Sequence, residues 1–239
     1  MNIVLLGYGK MGKVIEKVAQ SRGHNIVARI DVDNRQEFEK LTVSEVDAVI
    51  EFSHPSSAFQ NVKLCLEKGF PVVCGTTGWL ENKPEVEKFA IEKGGAFFWS
   101  SNYSIGVNLF FELNKTLAKL MSPQKQYSIS MTEIHHTEKK DAPSGTAITL
   151  AEGIIQHSED KSKWVSNEIP KQDEVAIWSA REGKVPGTHI VKYISDIDQI
   201  EISHVAHGRE GFALGAIIAA EWIVGKKGIF GMKELLSIG

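Results

Sequence analysis

Apolar and polar positions alternate through the first hundred residues in two rhythms. Residues 3–6 form a short apolar run that ends in glycines. Residues 10–21 follow the helical period, and Gly23 supplies a stop signal. Further strand-like runs fall at 25–30, 46–52, 70–74 and 96–99, with helical stretches at 55–68 and 84–92 between them. Pro55 suits the first turn of its helix, where a missing N–H costs nothing. Strands alternating with helices predict right-handed βαβ units and a parallel sheet covered on both faces.

The rhythm changes after residue 104. Residues 105–121 read as one long helix, with Phe110, Leu113, Leu117 and Leu120 on its apolar face. A strand at 127–134, a polar loop at 135–145 and a helix at 146–156 follow. Residues 158–163 read as a surface loop. Strand-like runs at 175–180, 189–194 and 199–204 have little helix between them, which predicts an open, mixed or mostly antiparallel sheet. A final alanine-rich helix spans 212–224. The expected fold class is therefore α/β. An N-terminal Rossmann-type dinucleotide-binding domain (1–105 with 213–239) accompanies a smaller α+β substrate domain (106–212) with an open mixed sheet.

Composition narrows the classes. The chain has 239 residues, 42% of them hydrophobic, and a formal charge of −3, so a sizeable core is available and no basic surface invites nucleic acid. No apolar run reaches the length of a membrane span or a signal-peptide core. Two cysteines, Cys65 and Cys74, make no disulfide framework and read as reduced thiols, which points to the cytoplasm.

Gly7-Tyr8-Gly9-Lys10-Met11-Gly12 is a G-x-G-x-x-G between a strand and a helix, and Asp31 ends the next strand. Gly7 permits the tight turn, Gly9 lets the backbone approach a pyrophosphate, and Gly12 lets helix and strand pack closely. The helix N-terminus offers N–H groups to the phosphates, and Asp31 accepts from a ribose 2′-hydroxyl. A carboxylate there favours NADH, while Arg29 and Arg35 keep NADPH open. Phe52, Gly75, Thr76, Thr77, Ser101, Asn102, Tyr103 and Ser104 lie at later strand ends, where an open parallel sheet binds its ligand.

Residues 133–147 hold the densest chemistry. Adjacent His135 and His136 end a strand and point to opposite sides. Lys139 follows, and Ser144-Gly145-Thr146 opens a helix whose N–H groups suit a carboxylate. One segment thus combines a proton-transfer group near neutral pH, cations and an anion cradle, as reduction of a charged C=C or C=N substrate requires. Metal ligation would draw on His135, His136 and Glu138, or on His204 and His207. Neither a cysteine pair nor an H-E-x-x-H helix accompanies them, so no metal is expected.

The stretch Glu133-x-His135-His136-x-x-Lys139-x-Asp141-Ala142-Pro143-Ser144-Gly145-Thr146-Ala147 resembles the signature of the dihydrodipicolinate reductase family of bacterial lysine and diaminopimelate synthesis. The glycine loop, Gly75-Thr76-Thr77 and the segment 102–108 are similar to its cofactor segments. Arg181-x-Gly183, Pro186-Gly187-Thr188-His189 and His204-x-Ala206-x-x-Arg209 are similar to its later blocks. The resemblance implies a hydride donated by NADH or NADPH to a small cyclic dicarboxylate, 4-hydroxy-tetrahydrodipicolinate, giving tetrahydrodipicolinate. It implies His135 as acid/base residue and Lys139 as proton donor. His136, Gly145 and Thr146 would hold carboxylates, with Arg209 as a weaker candidate. It also implies a homotetramer joined through the sheet of the second domain. The glycine loop is one residue shorter than in many members, and Val32 stands where an arginine is often linked to NADP.

Two other readings compete. A different two-domain NAD(P)-dependent amino-acid or semialdehyde dehydrogenase leaves the 135–146 segment unexplained. A non-catalytic NADH-sensing module would normally carry a DNA-binding element, and the sequence shows no helix-turn-helix pattern.

Overall fold

The computed structural model describes residues 1–238; Gly239, the last residue of the expected first domain, lies outside the described residues. In chain order the elements begin β1 (Asn2–Leu6), α1 (Lys10–Ser21), β2 (Asn25–Ile30), α2 (Arg35–Lys40), β3 (Ala48–Glu51) and α3 (Pro55–Glu67). Next come β4 (Val72–Cys74), α4 (Lys83–Lys93), β5 (Ala96–Trp99), α5 (Ile105–Met121), β6 (Ser128–His135) and α6 (Gly145–His157). The chain ends with β7 (Lys163–Ser166), β8 (Glu174–Arg181), β9 (Gly187–Ile194), β10 (Gln199–Ala206), α7 (Glu210–Ile223), β11 (Gly228–Phe230) and α8 (Met232–Leu236). Two compact units result: Met1–Ile105 with the chain from Arg209 onward, and Gly106–Gly208. The return falls at Arg209 rather than 213 because α7 starts at Glu210 with Arg209 as its N-cap.

The first unit is a six-stranded parallel sheet in the order β11-β5-β4-β3-β1-β2. Its inner strands are apolar apart from Asn2 and Glu51 at strand ends, as burial on both faces demands. Ile3 and Leu5 point to one side, where α1 and α7 cover them through Ile15, Ala19, Ala216 and Ile217. Val4 and Leu6 point to the other, against Val62 of α3 and Val86 of α4. Alanines and glycine let α7 come close: a Cβ on Gly215 would lie 1.7 Å from the Tyr103 carbonyl oxygen. Both thiols, Cys65 and Cys74, are free and buried, and burial pushes each well above its ordinary range. Among the described residues no helix is long and apolar enough to cross a membrane.

The second unit is a mixed five-stranded sheet, β10-β9-β6-β8-β7. β10, β9 and β6 run antiparallel, while β6, β8 and β7 run parallel. Met131, Ile177, Val191 and Tyr193 face Phe110 and Ala118 of α5 and Leu150 and Ile154 of α6. The register puts Trp178 and Val205 on the opposite face, and both are exposed.

Two expectations need correcting. The buried stripe of α5 is Val107, Phe110, Asn114, Ala118 and Met121, while Leu113 and Leu120 are exposed. Counting leucines misplaced the face because Asn114, which donates to Leu150 O at 2.9 Å, belongs to the packed side. The short elements α2, β7, β11 and α8 carry too few apolar repeats to announce themselves in the sequence.

Candidate active site

Most of the residues expected to hold the cofactor line two clefts of the first unit. Gly7, Asp31, Val32, Arg35 and Ser53 line one. Gly9, Lys10, Met11, Phe52, Gly75, Thr76 and Thr77 line the other, with Ser53 common to both. Gly7 has φ +97°, and a Cβ there would lie 2.2 Å from the Phe52 carbonyl oxygen. A Cβ on Gly12 would lie 2.6 Å from Gly7 O, and one on Gly75 would lie 2.1 Å from the Phe52 ring. A Cβ on Gly9 would meet no protein atom within 4 Å, so packing of the chain does not require a glycine there. Gly9 also caps α1 without any side-chain hydrogen bond, which leaves first-turn N–H groups available to an anion. These features fit a dinucleotide pyrophosphate.

Three of the cofactor expectations change in detail. Tyr103 is buried, its ring stacks on Phe98, and its hydroxyl donates to Cys74 O at 2.8 Å. Its side chain is part of the core; an unpaired hydroxyl at that depth would cost about 1–3 kcal/mol. Thr76 is also buried, and its hydroxyl donates to Glu51 Oε2 at 2.6 Å while accepting from Ser53 N at 2.9 Å. Glu51 is fully buried and also accepts from Ser53 Oγ, Asn61 Nδ2 and Cys74 Sγ. Thr76 therefore shapes the cleft wall through Glu51. Tyr8 is held by Glu16, which also pairs with Arg29 and is lowered chiefly by that guanidinium. Arg29 is thus committed to Glu16, whereas Arg35 lines the cleft beside Asp31. Asp31 accepts from Val32 N at 2.9 Å as the cap of a short 3-10 turn. Ser101, Asn102 and Ser104 sit on the loop after β5, where Ser100 and Asn102 bond to its own backbone.

In the second unit, β-sheet register assembles the catalytic candidates. Glu133 and His135 are two apart on β6 and so share a face. Opposite them on that face stand His189 of β9 and Ser179 and Arg181 of β8. Nδ1 of His135 pairs with Glu133, whose other oxygen lies 2.9 Å from Arg181. Burial pushes Glu133 up, but the neighbouring His135, Ser179 and Arg181 side chains outweigh it and hold the carboxyl at about 2. A carboxylate on Nδ1 leaves Nε2 as the working nitrogen of His135. A Cβ on Gly187 would lie 3.0 Å from that Nε2, so glycine keeps space beside it.

Lys139 lies on the loop between β6 and α6, 2.8 Å from both oxygens of Asp141, and Lys139 is the main cause that lowers Asp141. Ser144 caps α6: its hydroxyl accepts from Ala147 N at 3.2 Å and its carbonyl from Ile148 N at 3.0 Å. Gly145 and Thr146 are left as the first-turn N–H groups facing outward from the cap. His136 follows His135 and is half-buried. Arg209, expected among the substrate ligands, belongs to the first unit.

Sequence reasoning named Glu133 within a motif without giving it a role, although the period of two on β6 was the available signal. His189 was likewise named only within a motif, without a role, because only the β6–β9 register brings it to His135, with ring centroids 5.1 Å apart. Its Nε2 lies 3.1 Å from Ser144 Oγ. Among the described residues, Glu133, His135 and His189 are the grouping whose geometry suits a metal ion, distinct from the sets weighed in the sequence. There Arg181 already supplies Glu133 with a cation.

Burial, then the neighbouring His135, lowers His189 from 6.5 to about 4. The unfolded chain therefore takes up this proton first as the pH falls. His189 contributes stability that is intact above 6.5 and lost on acidification toward 4, on the order of 3 kcal/mol. His189→Gln is expected to flatten the fall of the thermal midpoint between those two values. An unchanged slope in the variant would contradict the buried, neutral imidazole.

The family model described as "Dihydrodipicolinate reductase, N-terminus" matches residues 1–103, and "Dihydrodipicolinate reductase, C-terminus" matches residues 106–236. A 4-hydroxy-tetrahydrodipicolinate reductase of Christiangramia forsetii is 48% identical over 237 residues, covering 99% of this chain and 98% of that one. A reductase of the same name from Methanoregula boonei is 35% identical, covering 96% and 95%. The dipicolinate-bound dihydrodipicolinate reductase of Paenisporosarcina sp. TG-14 shares the fold with a TM-score of 0.78 at 20% identity, over 98% of each chain.

Proposed function

The chain belongs to the dihydrodipicolinate reductase family, and from that membership we propose how its residues divide the work of reducing 4-hydroxy-tetrahydrodipicolinate to tetrahydrodipicolinate. It is an NAD(P)H-dependent oxidoreductase of the diaminopimelate route to lysine. The rival dehydrogenase and sensor readings are thereby displaced.

When bound, the nicotinamide dinucleotide supplies the hydride. Gly9 and the first turn of α1 hold its pyrophosphate, and Asp31 its adenosine ribose. The substrate is a small cyclic dicarboxylate. Gly145 and Thr146 donate their backbone N–H groups to one carboxylate, with the positive end of α6 behind them. His136 assists, and Arg209 is the further candidate for carboxylate binding. Loss of the 4-hydroxyl as water puts a proton on the leaving oxygen and takes one from the adjacent ring carbon, and that carbon regains a proton as the hydride reaches C4, so one hydride and one proton are consumed overall. His135 handles proton transfer at Nε2 while Glu133 fixes Nδ1–H, and Lys139 donates from Nζ. The observation that carries this reading is the Glu133–His135 pair on the strand that runs into the Lys139 loop and the α6 cap. Assembly as a homotetramer through the second sheet is supported by its exposed Trp178 and Val205. The two free thiols are in keeping with a cytoplasmic setting.

The direct test mixes the purified chain with the condensation product of pyruvate and aspartate semialdehyde and follows reduced-nicotinamide absorbance. Turnover is expected with this substrate; none with it, alongside oxidation of an amino acid, would overturn the assignment.

The first cleft supports a preference for NADH. Asp31 favours a free 2′-hydroxyl, and Arg29 is occupied by Glu16, so NADH is the preferred donor. Arg35 is the cation left to meet a 2′-phosphate. Asp31→Ala is expected to raise KM for NADH more than for NADPH, by about tenfold for one lost charged hydrogen bond. Arg35→Ala should do the reverse. The opposite order in either variant would remove the residue from this role.

A further inference from the structure

Arg181 closes β8 opposite His135 in the β6–β8 register, and its guanidinium touches both halves of the proton-transfer machinery. Nη2 lies 2.9 Å from Glu133 Oε1, and the other Glu133 oxygen holds His135 Nδ1. The same Nη2 donates to Asp141 O at 2.6 Å, Nη1 donates to Ala180 O at 2.7 Å, and Nε reaches Lys139 O at 3.4 Å. Asp141 in turn grips Lys139 Nζ through its carboxylate. Two backbone bonds hold the same strand end to the loop: Glu182 N to His135 O at 2.7 Å, and Thr137 N to Gly183 O at 3.2 Å. One planar cation therefore connects the partner of the imidazole to the partner of the ammonium. Its fixed fork of donors can serve a carboxylate and loop carbonyls together, which a lysine's single ammonium at the end of a flexible stem cannot do.

We propose that Arg181 is a positioning residue that sets His135 and Lys139 relative to each other for proton transfer. The inference rests on the proton-transfer roles given to those two residues above. It explains why an arginine at the end of β8 reaches across to the loop after β6 that carries Lys139. It also explains why Glu133 is held by a guanidinium as well as by the imidazole that it orients.

Arg181→Lys keeps a positive charge beside Glu133 but cannot span to the loop. It is expected to lower kcat by at least about tenfold, while dipicolinate and NADH dissociation constants stay within about twofold. The decisive comparison repeats the substitution in a Lys139→Ala background. There the ammonium to be positioned is gone, so the further loss in kcat should be under about twofold. Wild-type kcat in Arg181→Lys, or an equal proportional loss in both backgrounds, would overturn the proposal, the second by showing a structural role only. Should Arg181→Lys fail to fold, Arg181→Gln carries the same comparison, with the same dependence on Lys139 expected and an equal loss in both backgrounds against it. Wild-type kcat in Lys139→Ala alone would remove the parent reading and this inference with it, whereas a slow Lys139→Ala beside a fast Arg181→Lys would remove this inference alone.

Discussion

Replacing His135 by glutamine is expected to lower kcat by about 10²-fold or more, and Lys139→Ala to do the same, because a positioned proton-transfer group contributes about that much. The argument starts from register. β6 brings Glu133 and His135 onto one face, and β8 brings Arg181 beside them. Glu133 stays ionised because His135, Ser179 and Arg181 together outweigh its burial. That carboxylate fixes a proton on Nδ1 and leaves Nε2 to exchange one. Glutamine keeps similar size and polarity but cannot exchange a proton as an imidazole does, so His135→Gln removes the chemistry and leaves the packing. In Lys139→Ala the half-buried ammonium is lost while Asp141 remains exposed and solvated. The dissociation constant for dipicolinate should change little in either variant, since carboxylate binding is assigned to Gly145 and Thr146. Near-normal steady-state turnover in the double variant would remove both residues from the reaction.

Two glycines of the first unit are expected to fail in different ways. Gly7→Ala places a Cβ 2.2 Å from a backbone oxygen at φ +97°, so strand and turn must move. Backbone strain of this kind costs about 1–3 kcal/mol before any clash, and tenfold in affinity corresponds to about 1.4 kcal/mol. Coenzyme affinity should fall by about 10²-fold, and thermal stability should fall with it. At Gly9 an added Cβ meets no protein atom, so Gly9→Ala should leave the thermal midpoint unchanged. Its methyl group would stand where the pyrophosphate approaches, and affinity should again fall by about 10²-fold in a fluorescence titration. A Gly9→Ala protein that binds NADH normally would disprove the phosphate role of this loop.

Much of the first unit could be read directly from the sequence, because a buried parallel sheet writes itself as apolar runs bounded by glycines. Residues 3–6 and 96–99 fell on strands, and 10–21 on a helix. The helix face of α5 could not be read by counting leucines, since Asn114 is packed and Leu113 is not. Tyr103 looked like a ligand contact because it sits between hydroxyls at a strand end. Only the packed structure shows its ring on Phe98 and its hydroxyl on Cys74.

The polar loop was conspicuous because His135, His136 and Lys139 crowd into five positions. What supports them was not. His189 and Arg181 lie 54 and 46 residues from His135, and they reach it through strand register that no local pattern encodes. Glu51 was hidden in the same way: it ends an apolar strand, and its partners Thr76 and Asn61 come from separate elements.

A crystal structure of this chain with dipicolinate soaked in would examine the substrate assignment most directly. One carboxylate should accept hydrogen bonds from the backbone N–H groups of Gly145 and Thr146, with His135 Nε2 and Lys139 Nζ both against the ring. A dianion bound elsewhere, with those two nitrogens more than about two hydrogen-bond lengths from it, would contradict the mechanism built on them.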